Sequence, residues 1–274
     1  MELPPGAIYE QVDLTRARHV RRLLGRHTLE AVIHLAYHRD PGSPDAHRLN
    51  VDATRTLMRL SESHKIQRFL HRSTAEVYVH RNDQPDVLRE DQALNLDPRA
   101  PPWIRHRVEA DVTVSARMGL APQMKIAVLR CAEILAPDMG SQLYDYLESR
   151  VCLRPMGFDP IVNLLSLPDA TRAFELALVS TEEGPFNVPG ADTLPLSRLI
   201  RRWGRDDLPV PGPLIGPAYA LRRAIRHTAF RYGPNQWRFH FNGVLDGGRA
   251  DRLLGYRPEH PMVWPTGRPI QGPG

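Results

Sequence analysis

Short, nearly continuous apolar runs separated by amphipathic stretches constrain this chain most. "EAVIHLAY" (30–37) and "KIAVLRCAEIL" (125–135) carry too little polar alternation for strands with one wet face. Runs of that length fit strands buried on both sides, and the segments between them place apolar residues at helical spacing. In "RARHVRRLLGRH", Val20, Leu23 and Leu24 share one face, and Thr15 is placed to cap it. Strands alternating with helices predict βαβ units and a mostly parallel sheet. The spacing predicts strands at "AIYEQVDL" (7–14), 30–37, "QRFLHRSTAEVYV" (67–79) and 125–135. Helices are expected at about 45–63 and 102–118. Beyond residue 137 the pattern loosens. Helices at 141–149 and 169–180, a strand near "IVNLLSL" (161–167) and a strand-turn at "GPFNVPG" (184–190) are expected there. Repeats and low-complexity tracts are absent.

Composition excludes several classes. A chain of 274 residues, 42% hydrophobic, can bury a large core, yet no run approaches the roughly 20 apolar residues of a membrane span. Cys131 and Cys152 are too few for a disulfide framework or a thiolate metal site, and no histidine pair has ligand spacing. A cytoplasmic protein is the expectation. The net charge is +5, with only Lys65 and Lys125 as lysines and arginine everywhere else. The arginines are scattered and aromatics make up 7%, so a nucleic-acid surface has neither a basic block nor a stacking platform.

Several segments, in order, carry a family resemblance. "AVIHLAY" resembles a strand-four "HLAA" stretch, "LNVDATRTLM" an "NVxGTxxLL" helix start, and "RFLHRSTAEVY" an "STxEVYG" motif. "VLRCAEILAP", "LPDATRAFELAL", "GPFNVPGADTLPLSRLI" and "LDGGRADRLLGYRP" follow in the matching order. The chain resembles the NAD-dependent epimerase/dehydratase group of extended short-chain dehydrogenases/reductases. The resemblance implies an α/β fold: a Rossmann-like, mostly parallel sheet with a smaller C-terminal substrate lobe. Residues 1–137, with contributions from about 155–190, would form the core, and 138–274 mainly the lobe. "STAEVY" is closest to the "STDEVY" of sugar-nucleotide dehydratases, which implies substrate polarisation by Thr74 and proton movement by Glu76, with Ala75 where an acid is usual. The plain alternative is Thr74 at a strand end with Glu76 facing solvent.

Two features depart from that family. Aligning "PWIRHRVEAD" (102–111) with "PYxxSKxxAE" puts Trp103 at the catalytic Tyr and Arg107 at the Lys. An indole N–H donates a hydrogen bond but accepts no proton near neutrality, so a conventional hydride-transfer enzyme would lack its base. His106 beside it reads as a surface residue. The second departure is at the front, where a dinucleotide fold opens with a strand, a glycine-rich turn and a helix holding the pyrophosphate. Here "MELPPGAIYEQVDL" already resembles the family's third strand, so the sheet is expected to lack the first strand-helix-strand unit. An N-terminal extension carrying the glycine loop is the favoured explanation; an inward move of the first strand or a partner supplying the unit are the others.

The resemblance implies NAD or NADP as cofactor, with Asp13, Leu35, Ala36, Tyr37, Asn50, Ser73, Arg107 and Cys131 around it. It also implies a nucleotide-sugar-like ligand and a homodimer through helices 45–63 and 102–118. Leu49, Ala53, Leu57 and Leu60 are spaced to make such a face. The expected function is that of a divergent epimerase/dehydratase-like protein with weak or absent hydride transfer. A non-catalytic binding scaffold is the alternative, and RNA binding a third. "RYGPNQWRFHFNG" (231–243) is rich in arginine and aromatics; it lines a pocket or simply packs, with Trp237, Phe239 and Phe241 alternating as on an extended segment.

Overall fold

The computed structural model describes residues 4–38, 40, 43–81, 85–137, 139–226, 228 and 230–265. Its elements, in chain order, are α1 (Ala17–Arg26), β1 (Ala31–His34), α2 (44–63), β2 (Arg68–Thr74), α3 (Pro102–Ser115), β3 (Lys125–Cys131) and α4 (Gln142–Leu147). They continue as β4 (Val151–Pro155), β5 (Ile161–Leu164), α5 (Leu167–Val179), β6 (Gly184–Val188), β7 (Asp192–Pro195), α6 (Leu196–Arg202), β8 (Asp206–Val210), α7 (Gly212–Arg226) and α8 (Gly248–Leu254). Helix α2 is continuous but passes through a π-helical stretch, Arg48–Ala53. Serine side chains start several helices by accepting the backbone N–H two or three residues on: Ser43 for α2, Ser141 for α4 and Ser166 for α5.

Strands β1, β2, β3 and β6 form one parallel sheet in the order β1-β2-β3-β6. Alternate residues of a strand point to opposite faces, and both faces of this sheet are covered. Phe69, Ile126 and Val128 meet Val20 and Leu24 of α1 and Leu57 and Met58 of α2. Leu70, Ala127 and Leu129 meet Ala170, Ala173 and Ala177 of α5. That double burial is why β3 reads as a nearly continuous apolar run. A second cluster, built on Tyr146, Tyr219, Phe230 and Phe239, belongs to the later part of the chain. There β4 pairs with β8 and β5 with β7.

One buried ion pair ties the sheet to α3. Arg130 of β3 meets the carboxylate of Asp111 through two nitrogens, at 2.8 and 3.0 Å. Asp111 is fully buried and Arg130 nearly so. Ser73 of β2 donates a third bond to the same carboxylate at 2.6 Å, and Arg130 reaches the Tyr78 hydroxyl at 3.1 Å.

Four local expectations are corrected. "AIYEQVDL" forms no strand: Ile8 and Tyr9 are 77% and 72% exposed. With no described strand beside it, the segment is instead held to the end of α1 by Glu10, which pairs with Arg26 at 2.7 Å and His27 at 2.5 Å. Among the described residues nothing pairs with the outer edge of β1. Thr15 does not cap α1, because its hydroxyl and N–H both turn back to Asp13. Leu57 and Leu60 are buried inside the chain against α1 and the sheet and Ala53 is buried as well, so these three make no free dimer face; Leu49 is half-buried. Trp237 and Phe239 lie in a short 3-10 helix, Gln236–Phe239, rather than on a strand.

Removing one partner of a buried pair leaves an uncompensated charge, a cost of about 3–5 kcal/mol. Arg130→Met is therefore expected to lower the unfolding free energy by about that amount in urea titrations. A loss below about 1 kcal/mol would show that the pair does not hold α3 to the sheet.

Candidate functional site

The parallel strands end on one side, and the open-sheet rule places ligands outside those carboxyl ends. Two small cavities lie there. The first, about 30 Å³, is lined by Leu35, Ala36 and Tyr37 after β1, Asn50 of α2, Ser73 and Thr74 of β2, and Arg107 of α3. These are seven of the residues that the sequence assigned to cofactor or catalysis. Asn50 fixes the loop after β1: its side chain accepts the His38 N–H at 2.6 Å and donates to the His38 carbonyl at 3.3 Å. Asp13 and Cys131 line neither cavity. Asp13 is exposed and engaged by Thr15 and Arg16. Cys131 is buried, and burial pushes its thiol up to about 11.

The second cavity, about 40 Å³, lies between the sheet and the later segments. Ala75, Glu76, His80, Glu133, Asn163, Trp237 and Arg238 line it, with Phe239 and Phe241. Glu76 divides the two spaces. It does not face solvent, being 4% exposed, and it forms ion pairs with Arg107 from α3 and Arg238 from the 3-10 turn. The Arg107 side chain is likewise only 9% exposed. Its guanidinium lies 4.7 Å over the Tyr37 ring, donates to the Gly140 carbonyl at 3.1 Å and approaches the Thr74 hydroxyl at 3.5 Å. Gly140 has a positive φ of 72°, a backbone conformation that favours glycine. Arg238 also meets Glu133 at 2.5 Å and the side-chain carbonyl oxygen of Asn235 at 3.0 Å. Burial raises the Glu133 carboxyl from its ordinary range, while the Ser141 hydroxyl, donating at 2.5 Å, acts to lower it.

Trp103 is 5% exposed within the core under the sheet, and its indole N–H has no hydrogen-bond partner among the described residues. It offers no acid or base to either cavity. His106 is buried, edge-on to His47 at 5.3 Å, rather than at the surface. Sequence reasoning missed Arg238, Glu133 and His80. The arginine and aromatic density of 231–243 was the available signal for Arg238; His80 stacks flat on Trp237 at 4.0 Å.

His34 and His71 form a buried stack, 5.5 Å apart, with His71 in the wall of the first cavity. The Thr54 hydroxyl donates to the Asn50 carbonyl at 2.8 Å, so His34 Nε2 donates to Thr54 at 2.7 Å. Burial holds His34 down to about 3 and His71 down to about 4.

The space present does not fit a dinucleotide. About 30 Å³ holds one or two waters, Arg107 on Tyr37 fills the opening, and the described residues contain no glycine-rich strand-turn-helix for a pyrophosphate.

Comparison with known proteins gives the family. The model of the NAD dependent epimerase/dehydratase family matches residues 3–151, and the chain belongs to that family. Uncharacterized proteins of Mycobacterium tuberculosis and Mycobacterium bovis are each 28% identical over 252 residues, which covers 89% of this chain and 66% of theirs. The chain thus spans just under two thirds of the length of these relatives. Among solved structures it resembles the dTDP-glucose 4,6-dehydratase of Streptomyces venezuelae with NAD bound, at TM-score 0.66, 19% identity, and 91% and 74% of the two chains. It resembles the UDP-glucose 4-epimerase of Thermotoga maritima with UDP-glucose, at TM-score 0.68, 17% identity, and 94% and 81% of the chains. At these identities the likeness is one of fold.

The histidine stack carries a pH signature. Both folded values lie below the ordinary 6.5, so the unfolded chain binds more protons below that pH. Stability is expected to be full above pH 6.5 and to fall steadily as pH drops toward about 4. His71→Phe should make that fall shallower in urea midpoints measured across the window. An unchanged slope would mean that His71 does not titrate as a buried neutral ring.

Proposed function

We propose that this chain is a divergent member of the family that holds a nucleotide-sugar-like ligand between the sheet and the C-terminal lobe. Conventional hydride transfer is weak or absent in it. The observation that carries this reading is the double arginine grip on Glu76. A carboxylate held by two guanidinium groups is a poor proton acceptor, because each positive charge favours its ionised form. With Trp103 where the family has its Tyr, that position supplies no phenolate to take a substrate proton. Loss of such a general base costs about 10²–10⁴-fold in rate.

The same residues suit binding. Arg107 and Arg238 present planar donor forks that match phosphate or carboxylate oxygens, and the Thr74 hydroxyl adds a neutral donor or acceptor beside them. Trp237, Phe239 and Phe241 supply the apolar wall. A cavity of about 40 Å³ holds no sugar, so ligand entry must draw Arg238 away from Glu76 and shift the 3-10 turn. NAD or NADP belongs to the reading by family likeness only. A homodimer, if formed by helices 45–63 and 102–118, would use their charged outer faces, where Arg55 pairs with Asp52 and Glu109. The cytoplasm is the proposed compartment.

Titration with UDP-glucose and dTDP-glucose, followed by tryptophan fluorescence, tests the binding. The expected result is a saturable change that Trp237→Phe removes. Arg238→Ala and Arg107→Ala should each weaken binding about tenfold or more, as for bonds to a charged group. Turnover of either sugar nucleotide with added NAD should be at least about 10²-fold below a family-typical rate. Turnover at about 1–10³ s⁻¹, or no spectral response to any sugar nucleotide, would overturn the proposal.

A further inference from the structure

A third space, separate from both cavities at Glu76, opens between the start of α3 and residues 231–234, beyond α7. It is an open groove of about 610 Å³, a size within the range of sites that hold small organic ligands. It shares no lining residue with either of the other two. Arg99, Trp103, Arg105 and Arg231 line it, together with four prolines, whose fixed φ makes the walls stiff.

The charge of the groove is not balanced from within. The segments that form it, 98–105 and 231–234, hold three arginines and no Asp or Glu. Asp97, at its margin, is taken by Arg99, which donates from Nε at 3.2 Å and from a terminal nitrogen at 3.4 Å. Glu109, one turn along α3 from Arg105, is paired with Arg55 at 3.2 Å. Arg105 and Arg231 therefore keep side chains with no ion-pair or hydrogen-bond partner among the described residues. Two like charges lining one space repel each other, and an anion between them reverses that term.

The backbone works in the same direction. Helix α3 has 14 residues, opens with Pro102, has no side-chain cap and carries no acid in its first turn. The Arg105 N–H bonds to the Pro101 carbonyl at 3.1 Å, so the N–H groups of Trp103 and Ile104 have no acceptor inside the helix. They lie at its positive end. Trp103 adds a side-chain donor: it is 5% exposed, and its indole N–H has no partner among the described residues. Buried donors are seldom left unsatisfied, and Trp103 belongs to the lining of this groove.

We infer that the groove binds a phosphate-bearing small molecule, with Arg105 and Arg231 on the phosphoryl oxygens and the N-terminus of α3 facing the same charge. A guanidinium fork matches two phosphate oxygens at once. Two arginines with no acid between them favour a multiply charged group, phosphate or diphosphate, over a single carboxylate. This inference stands apart from the function proposed above, since it uses neither Glu76 nor the arginines that hold it.

Calorimetric titration of the full chain with inorganic pyrophosphate tests it. One saturable site is expected, with a dissociation constant below about 1 mM, weakened in about 0.5 M salt, where screening is short-ranged. Arg105→Ala and Arg231→Ala should each weaken binding about tenfold or more, as for bonds to a charged group. Arg18→Ala, at an exposed arginine of α1, should leave it unchanged. Neither the Arg105 nor the Arg231 side chain has a partner in the protein, so circular dichroism should show an unchanged fold in both variants. Absence of saturable binding, or binding that survives both changes in the groove, would overturn the inference. Equal weakening by Arg18→Ala would reduce it to attraction by net charge, and loss with Arg238→Ala alone would move the anion to the Glu76 cavity; either result overturns it. Binding to phosphatidic acid vesicles without binding to free pyrophosphate would do the same, by assigning the arginines to a lipid surface.

Discussion

A carboxylate removed from water must be paired, and the arrangement around Glu76 follows from that requirement. Its strand-end position places it among buried side chains, 4% exposed. Arg107 reaches it from α3, and Arg238 from a turn 162 residues later in the sequence (238 − 76). These two arginines then organise the rest: Arg107 packs on Tyr37 and closes the first cavity, while Arg238 links Glu76 to Glu133 and closes the second. The late segment is thereby joined to the strand ends by charge rather than by apolar packing alone. The same pairing sets two guanidinium groups against the Glu76 carboxylate.

The parallel sheet supplies the frame. Its two central strands are buried on both faces, and the Asp111–Arg130–Ser73 group fixes the helix that carries Trp103 and Arg107 against them. The sheet is unsymmetrical. On one side β6 follows β3 and is covered by α5 and α8, while on the other β1 has a bare outer edge among the described residues, with Ile33 41% exposed. A bare edge offers unpaired N–H and C=O groups to any added strand.

Strand β3 was legible because double burial leaves a nearly continuous apolar run, and the segments around Leu35–Tyr37, Asn50 and Ser73–Thr74, read from motif spacing, meet around one cavity. The failures have separate physical causes. "AIYEQVDL" has strand composition, but a strand exists only with a neighbour, and none is described beside it. The pattern Leu49, Ala53, Leu57, Leu60 announces an apolar face without saying what covers it; for Leu57 and Leu60 it is α1 and the sheet. His106 read as a surface group because burial of a lone histidine leaves no trace in sequence. Arg238 was hidden for the opposite reason: it is one arginine among many, and only the fold brings it to Glu76.

A double-mutant cycle on Glu76→Gln and Arg238→Ala, read by chemical unfolding, measures this linkage directly. A coupling energy of about 1–3 kcal/mol is expected for a buried, hydrogen-bonded charge pair. Each single change should be damaging because it removes one of two opposite charges from its partner, leaving Glu76 with Arg107 only or Arg238 with Glu133 only. Additivity within about 0.3–0.5 kcal/mol would mean that Arg238 does not hold Glu76. The carboxylate would then be free for the proton transfer that its position in the family motif implies.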